Sequence, residues 1–86
     1  MKMKIEVYSK DNCDYCTKIK ALFDFHGLVY ESLVIGDEHT KESIQERVGD
    51  VKKINTVPQV FVNDEYIGGY LEAVLWVAYD RHVDGQ

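Results

Sequence analysis

The two cysteines of the chain, Cys13 and Cys16, stand three residues apart within residues 9–16 (SKDNCDYC). Cysteines at this spacing form half of many zinc sites, and they also form reversible disulfides in proteins that exchange electrons through thiols. A structural zinc site needs four ligands, and the sequence contains no other cysteine. The close pairing typical of zinc ligands is also absent from its three histidines, His26, His39 and His82. The pattern therefore favours a redox pair, although the spacing alone permits metal as well.

The two cysteines are expected to differ in exposure. Asp11 or Asn12 can cap a helix in which an apolar stripe recurs every three or four residues: Cys16, Ile19, Leu22, Phe23 and His26. The stripe includes Cys16 and leaves Cys13 at the open N-terminal end of the helix. Such a difference suits an attacking cysteine, Cys13, and a resolving cysteine, Cys16.

Charged groups beside Cys13 act in opposite directions on its thiol. Unpaired backbone N–H groups at a helix N-terminus stabilise a thiolate, and Lys10 adds a nearby cation. Asp14 adds a negative charge. We hypothesise that Asp14 raises the pKa of Cys13 and makes the dithiol a stronger reductant than a variant with proline at this position.

The elements that must position the cysteines follow from hydrophobic periodicity. The predicted order is strand, helix, strand, helix, strand, strand, helix, with ranges of about 3–7, 13–26, 28–35, 41–48, 60–62, 66–67 and 70–81. Thr40 caps the second helix, while Gly27 and Gly49 end the first and second. The first two strands should be parallel, and a three-residue turn at 63–65 should make the last two antiparallel. The last helix is expected to be amphipathic, with a stripe of Leu71, Val74, Leu75, Ala78 and Tyr79.

Composition limits the class of protein. Eighty-six residues are enough for one domain, predicted to span residues 1–86. The net charge of −5 opposes binding to nucleic acid or to an anionic membrane surface. No signal-peptide pattern or long apolar run is found, so we expect a cytoplasmic protein. The short chain also leads us to expect a minimal member that is a monomer.

Three motifs in register resemble the glutaredoxin family. They are Lys10-x-x-Cys13-x-Tyr15-Cys16, residues 56–62 (TVPQVFV) and residues 67–70 (IGGY), and the likeness extends over nearly all of residues 3–82. The resemblance implies a thioredoxin-like α/β fold, a mixed four-stranded sheet flanked by three helices. It also implies a cis bond before Pro58, although most X-Pro bonds are trans.

The resemblance further implies a glutathione site. The backbone of Val57 would pair with the cysteinyl part of glutathione, and Lys10 would meet its glycyl carboxylate, with Lys41 as a candidate helper. The start of the last helix would receive the γ-glutamyl carboxylate. Leu71 and Glu72 differ there from the hydroxyl-bearing or small residue and the aspartate of many relatives. The implied glutathione-binding residues are Lys10, Tyr15, Lys41, Thr56, Val57, Pro58, Gly69, Tyr70, Leu71 and Glu72. Tyr15 and Tyr70 are equally compatible with simple packing at the rim of the site.

The implied activity is glutathione-dependent reduction of protein disulfides and glutathione mixed disulfides, with glutathione as cosubstrate and no tightly bound cofactor or metal. Ribonucleotide reductase is an expected electron acceptor. One alternative is a glutaredoxin-like protein that is reduced by thioredoxin reductase, which Leu71 favours. Another is an iron–sulfur carrier in which two chains share a cluster through Cys13 and glutathione, although relatives with that role usually have one active-site cysteine.

Overall fold

Strands and helices follow one another in the predicted order over residues 3–36 and 38–80, the part of the chain described by this computed structural model. They are β1 (Ile5–Ser9), α1 (Asp14–Phe25), β2 (Glu31–Val34), α2 (Lys41–Val48), β3 (Gln59–Val62), β4 (Glu65–Gly68) and α3 (Tyr70–Leu75), followed by a π-helical turn at Trp76–Asp80. The predicted mixed four-stranded sheet with three helices is confirmed. The predicted helix end at Arg81 lies outside the described residues.

The sheet has the strand order β2-β1-β3-β4. Strand β1 is parallel to β2 and antiparallel to β3, and β3 is antiparallel to β4. Because β1 and β3 are antiparallel, the end of β1 lies beside the start of β3, where Tyr8 pairs with Gln59. This register brings the loop that carries Cys13 next to the loop that ends at Pro58.

Both faces of the sheet are covered. On one face a cluster packs against α1 and α3, formed by Ile5, Val7, Ile19, Phe23, Val60, Val62, Ala73, Trp76 and Val77. On the other face a second cluster packs against α2, formed by Tyr8, Leu33, Ile44, Val48, Ile54 and Phe61. All five residues of β1 are consequently buried, including the charged Glu6.

The buried carboxylate of Glu6 is paired with Arg47 of α2. Arg47 Nη2 donates to Glu6 Oε1 at 2.6 Å, and its Nη1 donates to the Tyr8 hydroxyl at 3.0 Å. The guanidinium also stacks 3.8 Å from the centre of the Phe61 ring. The hydrogen bond to Glu6 raises the pKa of Arg47, against the opposing effect of burial. The guanidinium therefore stays charged and compensates the carboxylate that the sheet buries.

Several predicted boundaries were wrong, including those of β1, which was predicted at about 3–7 and spans Ile5–Ser9. Strand β2 begins at Glu31, three residues after the prediction. The N–H groups of Gly27 and Leu28 still bond to the carbonyls of Asp24 and Phe23 and so cap the end of α1. The last hairpin has a two-residue turn, Asn63-Asp64, with φ of 52° and 68°, so Glu65 already belongs to β4. Gly68, predicted to lie beyond β4, is its last residue.

The predicted buried stripe of the last helix was also wrong. Leu71, Leu75 and Tyr79 are 62%, 48% and 66% exposed. The helix instead packs Ala73, Trp76 and Val77 into the core, with Tyr70 and Val74 partly buried beside them. This helix carries apolar residues around most of its circumference, so periodicity could not identify the packed face.

Candidate active site

Cys13 itself caps α1. Its backbone is extended, with φ −112° and ψ 108°, and its Sγ accepts a hydrogen bond from the Cys16 N–H at 3.2 Å. The prediction of Asp11 or Asn12 as the cap was therefore wrong. Asn12 has a φ of 58°, a left-handed conformation that asparagine tolerates, and it forms the turn before the helix. The sulfur thus lies where the helix presents its unpaired N–H groups.

The two cysteine sulfurs are bonded to each other, with their Cα atoms 5.3 Å apart. Cys16 is 2% exposed, whereas Cys13 is partly exposed. Cys16 is buried because it lies on the face of α1 that also buries Ile19 and Phe23. Solvent, and therefore a substrate disulfide, reaches Cys13 more readily than Cys16.

The second half of the site is the loop before β3. The Val57–Pro58 peptide bond is cis, as the resemblance implied. Cys13 Sγ lies 3.7 Å from the Val57 carbonyl oxygen, although the two residues are 44 positions apart in the sequence. Pro58 is buried and Val57 is partly buried. The loop therefore places a backbone edge beside the partly exposed sulfur.

A groove of about 210 Å³ borders this loop. It is lined by Lys10, Ile35, Lys41, Ile44, Ile54, Asn55, Thr56 and Val57. Four of the predicted glutathione-binding residues, Lys10, Lys41, Thr56 and Val57, thus share one cavity. The two lysines provide positive charge at a wall that is otherwise mainly apolar, a combination suited to a small molecule with a carboxylate.

The remaining predicted residues gather at the start of α3. The rings of Tyr15 and Tyr70 lie 4.9 Å apart, and a Cβ added to Gly69 would lie 3.4 Å from the Pro58 carbonyl oxygen. The Gly69 N–H donates to Glu72 Oε1 at 2.9 Å. Glu72 therefore satisfies one N–H group of the helix start with its own carboxylate. Leu71 does not line the groove and points its side chain largely into solvent.

Some residues around the site were not predicted. Ile35, Ile44 and Ile54 form the apolar wall of the groove, and Asn55 adds a polar group. Asn55 directly precedes the 56–62 motif, and that adjacency was its only sequence signal. The isoleucines come from three separate segments, and nothing in their spacing points to a common cavity.

Residues 3–36 and 38–80 contain no cluster of three His, Cys, Asp or Glu side chains that could hold a metal ion. No helix within those ranges is both long enough and apolar enough to cross a membrane.

Comparisons with known proteins identify the family. The Glutaredoxin family model matches residues 5–67. Glutaredoxin 1 of Escherichia coli is 34% identical over 84 residues, covering 87% of this chain and 93% of the relative. Rice Glutaredoxin-C6 is 32% identical over 65 residues, or 76% of this chain, and the match spans 58% of that longer relative.

Solved structures agree with the sequence comparison. The reduced E. coli glutaredoxin aligns with a TM-score of 0.72 at 30% identity, covering 87% of this chain and 93% of that one. A buckwheat glutaredoxin in complex with glutathione aligns with a TM-score of 0.71 at 29% identity, covering 94% of this chain and 69% of that one. Together with the bonded Cys13–Cys16 pair beside a cis-proline loop, these matches show that the chain belongs to the glutaredoxin family of thiol–disulfide oxidoreductases.

Proposed function

We propose that the protein reduces glutathione mixed disulfides and protein disulfides, with glutathione as the electron donor. The observation that carries the proposal is the difference between the two bonded cysteines, one partly exposed at a helix cap and one 2% exposed. A cysteine at a helix N-terminus is a good nucleophile because the N–H groups and the helix dipole stabilise its thiolate.

With a glutathionylated protein, the Cys13 thiolate attacks the sulfur of the glutathionyl group. The protein sulfur leaves as a thiolate and takes up a proton, and Cys13 carries the glutathionyl group. The thiolate of a second glutathione then attacks that glutathionyl sulfur, forming oxidised glutathione and regenerating the Cys13 thiolate. Cys16 is not required in this cycle.

With a protein disulfide, Cys13 forms a mixed disulfide with one substrate sulfur and releases the other as a thiol. Cys16 then attacks Cys13 Sγ, which releases the second substrate thiol and leaves the Cys13–Cys16 disulfide. Two glutathione molecules reduce this bond in two exchange steps. Ribonucleotide reductase as the acceptor, monomeric state and cytoplasmic location stay predictions.

Glutathione as the reductant is supported by the groove and by the relatives. Lys10 and Lys41 can meet the glycyl carboxylate, and the backbone at Val57, beside Cys13 Sγ, can pair with the cysteinyl backbone. The start of α3, with Gly69, Tyr70 and Glu72, is the proposed place of the γ-glutamyl group. The buckwheat relative was solved with glutathione bound.

The test is turnover of a glutathionylated peptide, coupled through glutathione reductase to NADPH oxidation. We expect Cys13→Ser to be inactive and Cys16→Ser to keep turnover, because only Cys13 forms the glutathionyl adduct. Loss of turnover in both variants to the same degree would show that the assigned roles are wrong.

Reduction by thioredoxin reductase is a second candidate, favoured by the apolar Leu71 exposed at the start of α3. It is tested by supplying thioredoxin reductase and NADPH without glutathione. We expect slow reduction of the Cys13–Cys16 disulfide compared with the glutathione system, and the reverse order would favour this alternative.

A further inference from the structure

Two consecutive side-chain hydrogen bonds join β4 to the loop that contains the cis bond before Pro58. Gln59, the first residue of β3, is 1% exposed. Its side-chain Nε2 donates to the carbonyl oxygen of Thr56 at 2.9 Å, and its Oε1 accepts from the Tyr66 hydroxyl at 2.6 Å. One amide thus joins the edge strand β4 to the loop that carries Val57.

The direction of both hydrogen bonds follows from which groups can donate and which can accept. A backbone carbonyl can only accept, so the Gln59 amide must present its NH₂ group to Thr56. Its oxygen then faces Tyr66, which must donate. A flipped amide would place two acceptors against each other at Thr56. The Thr56 carbonyl therefore sets the orientation of the amide, and the Tyr66 hydroxyl stabilises that orientation by donating to the amide oxygen.

The loop has little other backbone support. Over the described residues, neither Thr56 nor Val57 takes part in a backbone–backbone hydrogen bond of a turn or loop, and Pro58 has no N–H to donate. The Thr56 carbonyl is one peptide unit before the Val57 carbonyl, which lies 3.7 Å from Cys13 Sγ. A shift of the Thr56 peptide therefore shifts the backbone edge that faces the reacting sulfur.

Tyr66 is well placed to remain a donor. Its ring lies 5.3 Å from the ring of Phe61, opposite it in the β3–β4 register, and it is partly buried. Burial and, to a smaller extent, the negative charge of Glu72 raise the pKa of Tyr66. The phenol keeps its proton, so the hydrogen bond to Gln59 persists across neutral pH.

We propose that Tyr66 and Gln59 are positioning residues for the substrate, since together they hold the Thr56–Val57 backbone where the glutathionyl group binds. The inference rests on the proposed function, because it assigns these two hydrogen bonds a role in glutathione binding at that site. Neither side chain needs to touch the substrate.

The experiment is a double-mutant cycle with the glutathionylated peptide. Tyr66→Phe keeps the ring and removes the donor, and Gln59→Met removes both amide groups at similar volume. One lost hydrogen bond corresponds to a rise of about three- to tenfold in the KM for the peptide, with kcat within about twofold. In a Gln59→Met background, Tyr66→Phe should have no further effect on KM, because both hydrogen bonds of the Gln59 amide are already lost.

Tyr30→Phe is the matched control. Tyr30 is also partly buried and packs on a core phenylalanine, Phe23, but on the opposite face of the sheet. We expect its KM to match the wild type. All variants are assayed well below their unfolding temperatures. An unchanged KM in Tyr66→Phe, equal changes in both tyrosine variants, or additive effects in the cycle would overturn the proposal.

A second measurement separates this inference from the proposed function. The carbonyl carbon of Thr56 has an NMR chemical shift that responds to its hydrogen bond, whether or not the protein turns over the peptide. We expect this chemical shift to differ from the wild type in Tyr66→Phe and to equal it in Tyr30→Phe. If the wild type fails to turn over the peptide, the proposed function is wrong. Independently of that result, a Thr56 chemical shift that is unchanged in Tyr66→Phe would show that Tyr66 and Gln59 do not hold the Thr56 carbonyl.

Discussion

Asp14 lies in the first turn of α1, directly after the sulfur that caps the helix. It is exposed, and its carboxylate opposes a negative charge on Cys13. The prediction is that Asp14→Asn lowers the pKa of Cys13 and makes the reduction potential of the Cys13–Cys16 pair less negative. Removing the charge stabilises the thiolate, which exists only in the reduced protein.

The magnitude follows from the exposure of the carboxylate. Pairs of exposed charges interact by about 0.2 to 1 kcal/mol. Removing the carboxylate charge therefore lowers the pKa of Cys13. For a two-electron couple, where 30 mV corresponds to about 1.4 kcal/mol, the potential should rise by about 4 to 20 mV at a pH where Cys13 is ionised. The equilibrium constant with glutathione then changes by at most about fivefold.

The assay is equilibration of the protein with defined ratios of reduced and oxidised glutathione, combined with titration of Cys13 by its rate of alkylation. The control is Asp24→Asn, an exposed acid on the same helix. Ten residues separate it from Asp14, or about 15 Å along the axis, which exceeds the Debye length of about 8 Å at physiological ionic strength. Asp14→Pro then separates the effect of the ring from that of the charge.

Two results would refute this reasoning. One is an unchanged or more negative potential in Asp14→Asn. The other is an equal shift in the Asp24→Asn control, which would point to net charge and not to the local field. The shift in Asp14→Asn should also shrink as salt is added, since the carboxylate is exposed.

Three further predictions concern stability and binding. Arg47→Met leaves the buried Glu6 carboxylate without its main partner and should lower the free energy of unfolding by about 2 to 3 kcal/mol, less than for a fully buried pair because Arg47 is 25% exposed. Thermal denaturation measures this loss, and adding Glu6→Gln should recover part of it; no recovery would argue against the pairing. Lys10→Gln should raise the KM for a glutathionylated peptide by up to about fivefold, while the exposed Lys53→Gln serves as control, and equal effects would remove Lys10 from the site. Gly68→Ala should destabilise the fold by more than about 2 kcal/mol, because φ is 135° and the new Cβ would lie 2.6 Å from the Cβ of the glutamate that caps α3; a denaturation midpoint equal to wild type would contradict this.

Local features of the fold were accessible from the sequence because they depend on neighbours in the chain. Thr40 and Gly49 bound α2 as predicted, since capping and left-handed glycine termination are local. The order of the elements followed from the change between two-residue and helical periodicity. The burial of Cys16 and the greater exposure of Cys13 followed from the stripe on α1.

Features that depend on packing from both sides were not accessible. Glu6 looked like the polar face of a half-exposed strand, but α2 covers that face and supplies Arg47. The last helix is apolar on several sides, and only the core decides that Trp76 is buried while Leu71 is not. The cap position of Cys13 was misjudged because Asn12 adopts a left-handed conformation, which moves the helix start by one residue.

The sequence by itself determined that two cysteines stand at the start of a helix in a small α/β chain, and its motifs determined the family. Only the tertiary structure decided what surrounds the partly exposed sulfur. The antiparallel register of β1 and β3 brings Val57 to within 3.7 Å of Cys13 across 44 residues. The same fold brings Lys10 and Lys41 to one groove, and it links Tyr66 through Gln59 to the carbonyl of Thr56, which lines that groove. Such contacts arise from strand pairing between distant segments, and chain-local propensities carry no information about their distances.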